Sequence, residues 1–405
     1  MISKSPTLNL TPEILSIEGE TSFAYLSKAR EVHERKGIPI YSFGIGQPDF
    51  PTPKHIVEAA KKALDEGFTG YTETAGIPEL RRAIADYLNE RYHGEVLPEE
   101  IIVTPGAKNA IYLALASYVT EGDEVIIVEP SYYAYAMVVK MRRGKPIFAS
   151  ADFVPGRGFI IDTDKILDKI TSKTKAIVIN NPHNPTGSIF SPSQIDGLVE
   201  IAREKGILLV SDEIYDNFVF HGQFKSLLEY EDWRDTSIVI NGFSKTFSMT
   251  GWRLGYLVAR KEAIPRLTSL AVTMYSCAAS FVQKAGVTAL KGDCTPVREM
   301  IQEFRERAQL LHDELSKIPG FESYLPHGAF YLYPRIVNLL KMTGMSTEQF
   351  VNYLLEEKGV VVLPGSAFPD KAGINHVRFS FATSKDVIRK GAELIREAVE
   401  ELINK

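Results

Sequence analysis

Between Ile101 and Ala259 the chain returns again and again to short, uninterrupted apolar runs. They are Ile101–Thr104, Glu124–Val128, Pro146–Ala149, Ala176–Ile179, Ile207–Val210, Ser237–Ile240 and Gly255–Val258. Continuous runs, as opposed to alternating ones, mark strands covered on both faces in a largely parallel sheet. Helical patterns separate several of them. Ser191-Pro192-Ser193-Gln194 reads as a capping box with proline at the first helical position. Ile195, Leu198, Val199 and Ala202 then form one apolar stripe, and Gly206 marks the stop. Strand, helix and strand in that order define an α/β region.

The pattern changes after Lys291. Thr295-Pro296 opens a long helix with its seam at Val297, Ile301, Phe304, Ala308, Leu311, Leu315 and Ile318, ended by Pro319-Gly320. Strand-like stretches follow at Ala329–Tyr333, Gly359–Leu363 and His376–Phe381. A final helix carries Val387, Gly391, Leu394, Ile395, Ala398 and Leu402 on one face. A chain of 405 residues is too long for one ordinary core. The expected fold is therefore α/β with a second part. Residues 50–292 form a large domain, a mostly parallel sheet flanked by helices; residues 1–49 and 293–405 form a smaller α+β domain. No linker rich in Pro, Gly or Ser divides them, so a tight junction with a cleft is expected.

Composition narrows the function. Hydrophobic residues make up 44% and charged residues 24%, the profile of a soluble globular protein. A formal charge of −5 gives no electrostatic reason to expect nucleic acid or an anionic membrane as partner. Two cysteines, Cys277 and Cys294, cannot build a disulfide framework or a cysteine zinc site, and no metal is expected. The start, Met1 to Thr7, shows no apolar leader core, and no run approaches the ~18 apolar residues of a membrane helix. A cytoplasmic location is expected.

The chemistry lies just past the strands. Asn184 sits in Asn180-Asn-Pro-His-Asn-Pro-Thr-Gly187; Asp212 and Tyr215 follow Ile207–Val210; Lys245 and Arg253 follow Ser237–Ile240. Ligands of an open α/β sheet bind beyond the carboxyl ends of its strands, where these side chains can converge. An amine, a carboxylate, a phenol, an amide and a guanidinium together are the equipment for pyridoxal phosphate. Lys245 is suited to bond the coenzyme's aldehyde and later to act as base; Asp212 is suited to hold the ring nitrogen's proton. Tyr215 and Asn184 are suited to the ring's phenolic oxygen, and Tyr132 to stacking on the ring face. Thr104-Pro-Gly106-Ala107-Lys108 ends a strand and opens a helix, offering backbone N–H groups to a phosphate, with Arg253 and Ser244 as further contacts. Arg378, from the smaller domain, can clamp an α-carboxylate with two hydrogen bonds. The loop fits neither G-x-G-x-x-G nor the P-loop, so nucleotide motifs are excluded.

In this order the motifs resemble the class I/II aminotransferases of fold type I, from Phe43-Gly-Ile-Gly46-Gln-Pro-Asp to Arg378. NNPHNPTG, SDEIYDNFV and NGFSKTFSMTGWRLGY place the chain nearest the archaeal and bacterial aspartate aminotransferase branch. The resemblance implies a homodimer with shared sites, in which Tyr71 reaches the phosphate of the other subunit. It also implies that Gly46 lines the substrate pocket and that Lys108 reads a distal carboxylate. One position departs: Gly242, three before Lys245, stands where many relatives carry a serine. The expected activity is transfer of an α-amino group from an amino acid to a 2-oxo acid, with aspartate and 2-oxoglutarate the leading pair. Aromatic, alanine or kynurenine transamination and β-elimination of cysteine conjugates are the alternatives, with Glu18–Phe23 expected to contribute to the pocket as a lid. A coenzyme-sensing regulator would need a DNA-binding module for which the early α/β pattern leaves no room.

Overall fold

The computed structural model describes residues 10–17, 19, 21–369 and 371–404. Met1 to Thr7, and Glu18 and Glu20 of the expected lid, lie outside the described residues. Seven strands form the principal sheet, numbered here in chain order: β1 Ile101–Thr104, β2 Glu124–Glu129, β3 Lys145–Ser150, β4 Thr174–Asn180, β5 Leu208–Asp212, β6 Ser237–Gly242 and β7 Gly255–Val258. Their spatial order is β1-β7-β6-β5-β4-β2-β3. All neighbours run parallel except β7, which is antiparallel to both β1 and β6.

The continuous apolar runs are explained by two cores, one on each face. Alternation along each strand sorts side chains between them: Ile126, Val128, Ile177 and Ile179 enter one, and Val125, Ile127, Ala176 and Val178 the other. Helices Ala107–Tyr118, Ala134–Met141 and Ile264–Tyr275 cover the second core. Pro192–Lys205 and Pro78–Tyr92 cover the first. Helix Pro192–Lys205 matches its sequence signals at both ends: Ser191 and Gln194 form the capping box, and Gly206 turns left-handed at φ 62°.

The C-terminal part is α+β, and the first core continues into it. Helix Thr295–Leu315 buries Val297, Phe304, Ala308, Leu311 and Leu315 as its seam requires, with Met300 buried where Ile301 was expected. The final helix Lys385–Ile403 buries Ile388, Ala392 and Val399 beside Gly391, Ile395 and Ala398, so its buried stripe is turned about one residue from the expected face. Two expected strands are shorter. Ala329 has φ 53°, which breaks extended geometry and leaves Tyr331–Leu332. The Gly359–Leu363 run divides because it changes partners. Val360–Val361 pairs in parallel with Tyr41–Ser42, and Leu363–Pro364 pairs antiparallel with Val377–Ser380. Through Tyr41–Ser42 the segment before residue 50 forms a separate two-stranded sheet with the C-terminal part, whereas Glu13 reaches Arg143 beside the large sheet at 2.7 Å.

Candidate active site

β4, β5 and β6 end side by side, with Asn180 opposite Asp212 and Asp212 opposite Ile240. A cavity of about 670 Å³ opens beyond these ends. Its walls combine Asp212, Tyr215, Ser244, Lys245 and Arg253 from the sheet side with Gly46, Tyr331 and Arg378 from the other part of the chain.

Asp212 lies at the bottom, 4% exposed. Its carboxylate accepts from the Tyr135 hydroxyl at 2.7 Å and from the Ile214 N–H at 3.2 Å. Burial pushes the carboxyl up to about 6, while those two hydrogen bonds and the charge of Lys245 pull the other way. An acid held in this balance is one that a buried cation would ionise. Its main-chain carbonyl is fixed by donors from Asn180 Nδ2 at 2.8 Å and the Asn181 N–H at 3.1 Å, which sets the end of β5.

Lys245 follows β6. Its Nζ donates to the Gly46 carbonyl at 2.6 Å and lies near the rings of Tyr215 and Phe330. Tyr215, fully enclosed, shares a hydrogen bond between its hydroxyl and that of Tyr331 at 2.8 Å. Burial, followed by Tyr331, holds the Tyr215 phenol well above its ordinary value, so it stays protonated. Arg378 is 5% exposed. It donates to Asn184 Oδ1 at 3.2 Å and to the Gly44 carbonyl at 2.6 Å, and its buried Nε has no partner among the described residues. Rings of Tyr331 and Phe368 flank its guanidinium at 4.6 and 4.9 Å.

At the other end of the cavity the helix Ala107–Tyr118 begins at Gly106, which has φ 83° and supplies no side-chain cap. A helix start leaves its first N–H groups unused by the helix itself, so this is an anion site in waiting. Arg253 approaches so closely that a Cβ on Gly106 would stand 2.3 Å from Arg253 Nη2. Ala107, Lys108, Ser244, Thr250 and Gly251 complete this wall. Lys108 is exposed and donates to the Tyr133 hydroxyl at 3.2 Å, with Tyr132 beside it. Gly242 is explained by space: a Cβ there would lie 2.9 Å from Gly255 Cα.

The residues anticipated from sequence thus gather in one cavity, except two. Gly106 is buried behind the wall, and Tyr71, 90% exposed, does not line its own chain's cavity. Ser22 and Phe23 of the expected lid do line it. Sequence reasoning missed Tyr135 and Tyr331. For Tyr135 there was a signal, because it stands three residues after Tyr132 in the same tyrosine-rich stretch; for Tyr331 there was none.

The arrangement fits pyridoxal phosphate: an enclosed carboxylate for the ring nitrogen, an amine for the aldehyde, and a helix start with arginine for the phosphate. The chain belongs to the aminotransferases of class I and II, whose family description, "Aminotransferase class I and II", matches residues 38–395. It is 48% identical to the aspartate aminotransferase of Sulfolobus acidocaldarius over 395 residues, 98% of each chain. Among solved structures it resembles the Thermus thermophilus aspartate aminotransferase with maleate, at TM-score 0.89 and 33% identity, covering 96% of this chain and 99% of that one. It also resembles an aromatic aminotransferase of Pyrococcus horikoshii, at TM-score 0.84 and 35% identity, covering 93% and 99%. The chain is a pyridoxal-phosphate-dependent aminotransferase with the α/β fold of that family.

Proposed function

We propose that this enzyme moves the α-amino group of aspartate to 2-oxoglutarate. The observation that carries the reading is one cavity lined both by the enclosed Arg378 and by Lys245, with a second cation, the exposed Lys108, also in its wall. Relatives named as aspartate aminotransferases, and a similar structure solved with the dicarboxylate maleate, support it.

Pyridoxal phosphate, when bound, supplies the aldehyde and an electron-withdrawing ring. The protein does the rest. Arg378 binds the α-carboxylate through the guanidinium edge that Asn184 and Gly44 orient. Lys108 Nζ binds the distal carboxylate. Asp212 holds the proton on the ring nitrogen, and its enclosure strengthens that pairing. Tyr215 donates its hydroxyl hydrogen to the ring's phenolic oxygen, with Asn184 beside it. Tyr132 covers the ring face. The Ala107 end of the helix, Ser244 and Arg253 bind the phosphate. Lys245 Nζ, held now by the Gly46 carbonyl at 2.6 Å, would take the proton from the substrate Cα and deliver it to the carbon that had been the coenzyme's aldehyde.

Exposed Tyr71 is suited to a second copy's phosphate, and we read the working unit as a homodimer in the cytoplasm. Residues 50–292 act as one domain, and 1–49 with 293–405 as the other. No helix among the described residues is long and apolar enough to cross a membrane.

The test is a panel of amino donors against 2-oxoglutarate with Lys108→Ala alongside. Loss of one exposed ion pair to substrate should lower kcat/KM for aspartate by roughly tenfold or more and leave alanine nearly unchanged. Equal losses for both donors, or aspartate turnover below that of aromatic donors in the parent enzyme, would overturn the dicarboxylate assignment.

A further inference from the structure

Tyr331 stands at a junction for which the mechanism above has no task. It is 1% exposed, lines the cavity, and lies on a strand whose register sets it opposite Ser380, two residues from Arg378. Three site elements meet on this one side chain. The hydroxyl shares its hydrogen bond with Tyr215. The ring face lies 4.6 Å from the Arg378 guanidinium. The hydroxyl also presses against the Gly46 backbone so closely that a Cβ there would stand 2.1 Å from it. Gly46 is the residue whose carbonyl accepts from Lys245.

Direction matters in the tyrosine pair. Each phenol has one hydrogen to give. If Tyr215 gave its hydrogen to Tyr331, it would have none for the coenzyme. The Arg378 charge over the Tyr331 ring polarises that phenol toward donation. Tyr331 then donates to the Tyr215 oxygen, and the Tyr215 hydrogen is directed into the cavity. Donors in series strengthen one another, so Tyr215 becomes a better donor than an isolated phenol.

Resting on the coenzyme roles given above, we propose that Tyr331 is a positioning residue: it orients and strengthens Tyr215 as a hydrogen-bond donor to the coenzyme while its ring holds Arg378 in place for the α-carboxylate. The two functions reside in separate parts of the side chain, which makes them separable. Substitution by phenylalanine removes the hydroxyl and keeps the ring; leucine removes both.

The experiment uses holoenzyme reconstituted with pyridoxal phosphate and follows its absorbance from pH 5 to 10. A donor to the phenolic oxygen favours the deprotonated form of the lysine-bound chromophore. Tyr331→Phe leaves the Tyr215 donor in place and removes its strengthening, and should therefore move the spectral midpoint upward by roughly 0.1 to 0.5 of a unit, a fraction of one charge-assisted hydrogen bond. Its KM for the amino donor should stay within about twofold. Tyr331→Leu should show the same spectral shift and a KM raised roughly three- to tenfold, the size of a lost cation–π contact. A Tyr331→Phe midpoint equal to that of the parent enzyme would overturn the proposal, as would a Tyr331→Leu KM equal to that of Tyr331→Phe. If leucine prevents folding, the phenylalanine titration alone decides. Absence of any coenzyme chromophore in the parent protein would instead refute the coenzyme assignment on which the inference rests.

Discussion

Asp212 shows how one residue acquires a function from its surroundings. An aspartate in water is ionised well below neutrality; here burial raises it to about 6, and two donors and a lysine restrain the rise. Asp212→Asn keeps the shape and the Ile214 contact but cannot hold a proton on a ring nitrogen. The variant should retain the coenzyme and lose at least roughly a hundredfold in single-turnover proton transfer, read by stopped-flow absorbance. A rate near that of the parent enzyme would place the ring's partner elsewhere. Asp212, like Lys245, was legible because its neighbours in sequence carry the signal: an apolar run that turns acidic, and an amine in a Ser/Thr-rich loop. Tyr331 was not, because its partner lies 116 residues away and pairing at that distance is a product of folding; Tyr135 stood in a legible tyrosine stretch, but its bond to Asp212, 77 residues away, was not legible. The Arg378 clamp was legible as an arginine, but its setting between Asn184 and Gly44, 194 and 334 residues away, was not.

At the scale of elements, the site depends on how strands stop and helices start. Gly106 is the tightest such point. Its φ of 83° suits glycine, and the Arg253 side chain occupies the space any Cβ would need. Gly106→Ala combines backbone strain with displacement of Arg253 from the helix start. Affinity for pyridoxal phosphate should fall by roughly tenfold or more, measured as coenzyme retained after dialysis; undiminished retention would show that this helix start does not hold the phosphate. The strands of the principal sheet were readable because burial on both faces leaves continuous apolar runs, and helix Pro192–Lys205 because its caps are local. The C-terminal strands were harder. The Gly359–Leu363 run looks like one strand in sequence, yet it serves two sheets in turn, and only the partners Tyr41–Ser42 and Val377–Ser380 reveal the division. In the final helix, apolar residues on neighbouring faces left the direction of the core undetermined by about one residue.

At the scale of the whole molecule, the site end of the sheet is a concentration of buried ionisable groups whose protonation is linked to stability. Next to Asp212, burial pushes the enclosed Glu213 up to about 8, against hydrogen bonds from the Ser226 hydroxyl and the Leu227 N–H. A carboxyl raised in the folded state favours the folded protein below its unfolded value, about 4.5, and loses that contribution as pH rises through 8. The buried histidines His183 and His376 are lowered to about 3, so above their unfolded value of 6.5 they add no further slope. Between pH 7 and 9 the apoprotein should therefore lose about 1 kcal/mol from Glu213. Urea unfolding of Glu213→Gln, which keeps an acceptor for Leu227, should be flatter across that interval. A slope equal to the parent's would mean that Glu213 is already ionised in the fold. Two parts of the chain line the site cavity: Gly46, Tyr331 and Arg378 come from outside the principal sheet and stand across from Lys245 and Asp212 in its lining.

The most direct measurement is chemical. Purified protein loaded with pyridoxal phosphate is reduced with borohydride, digested, and its peptides weighed by mass spectrometry. The expected result is a single coenzyme-modified peptide spanning Asn241–Arg253 with the mass on Lys245, and none in Lys245→Ala. Modification on another lysine, or a peptide of unaltered mass from a yellow holoprotein, would contradict the assignment of Lys245 and with it the roles built around it.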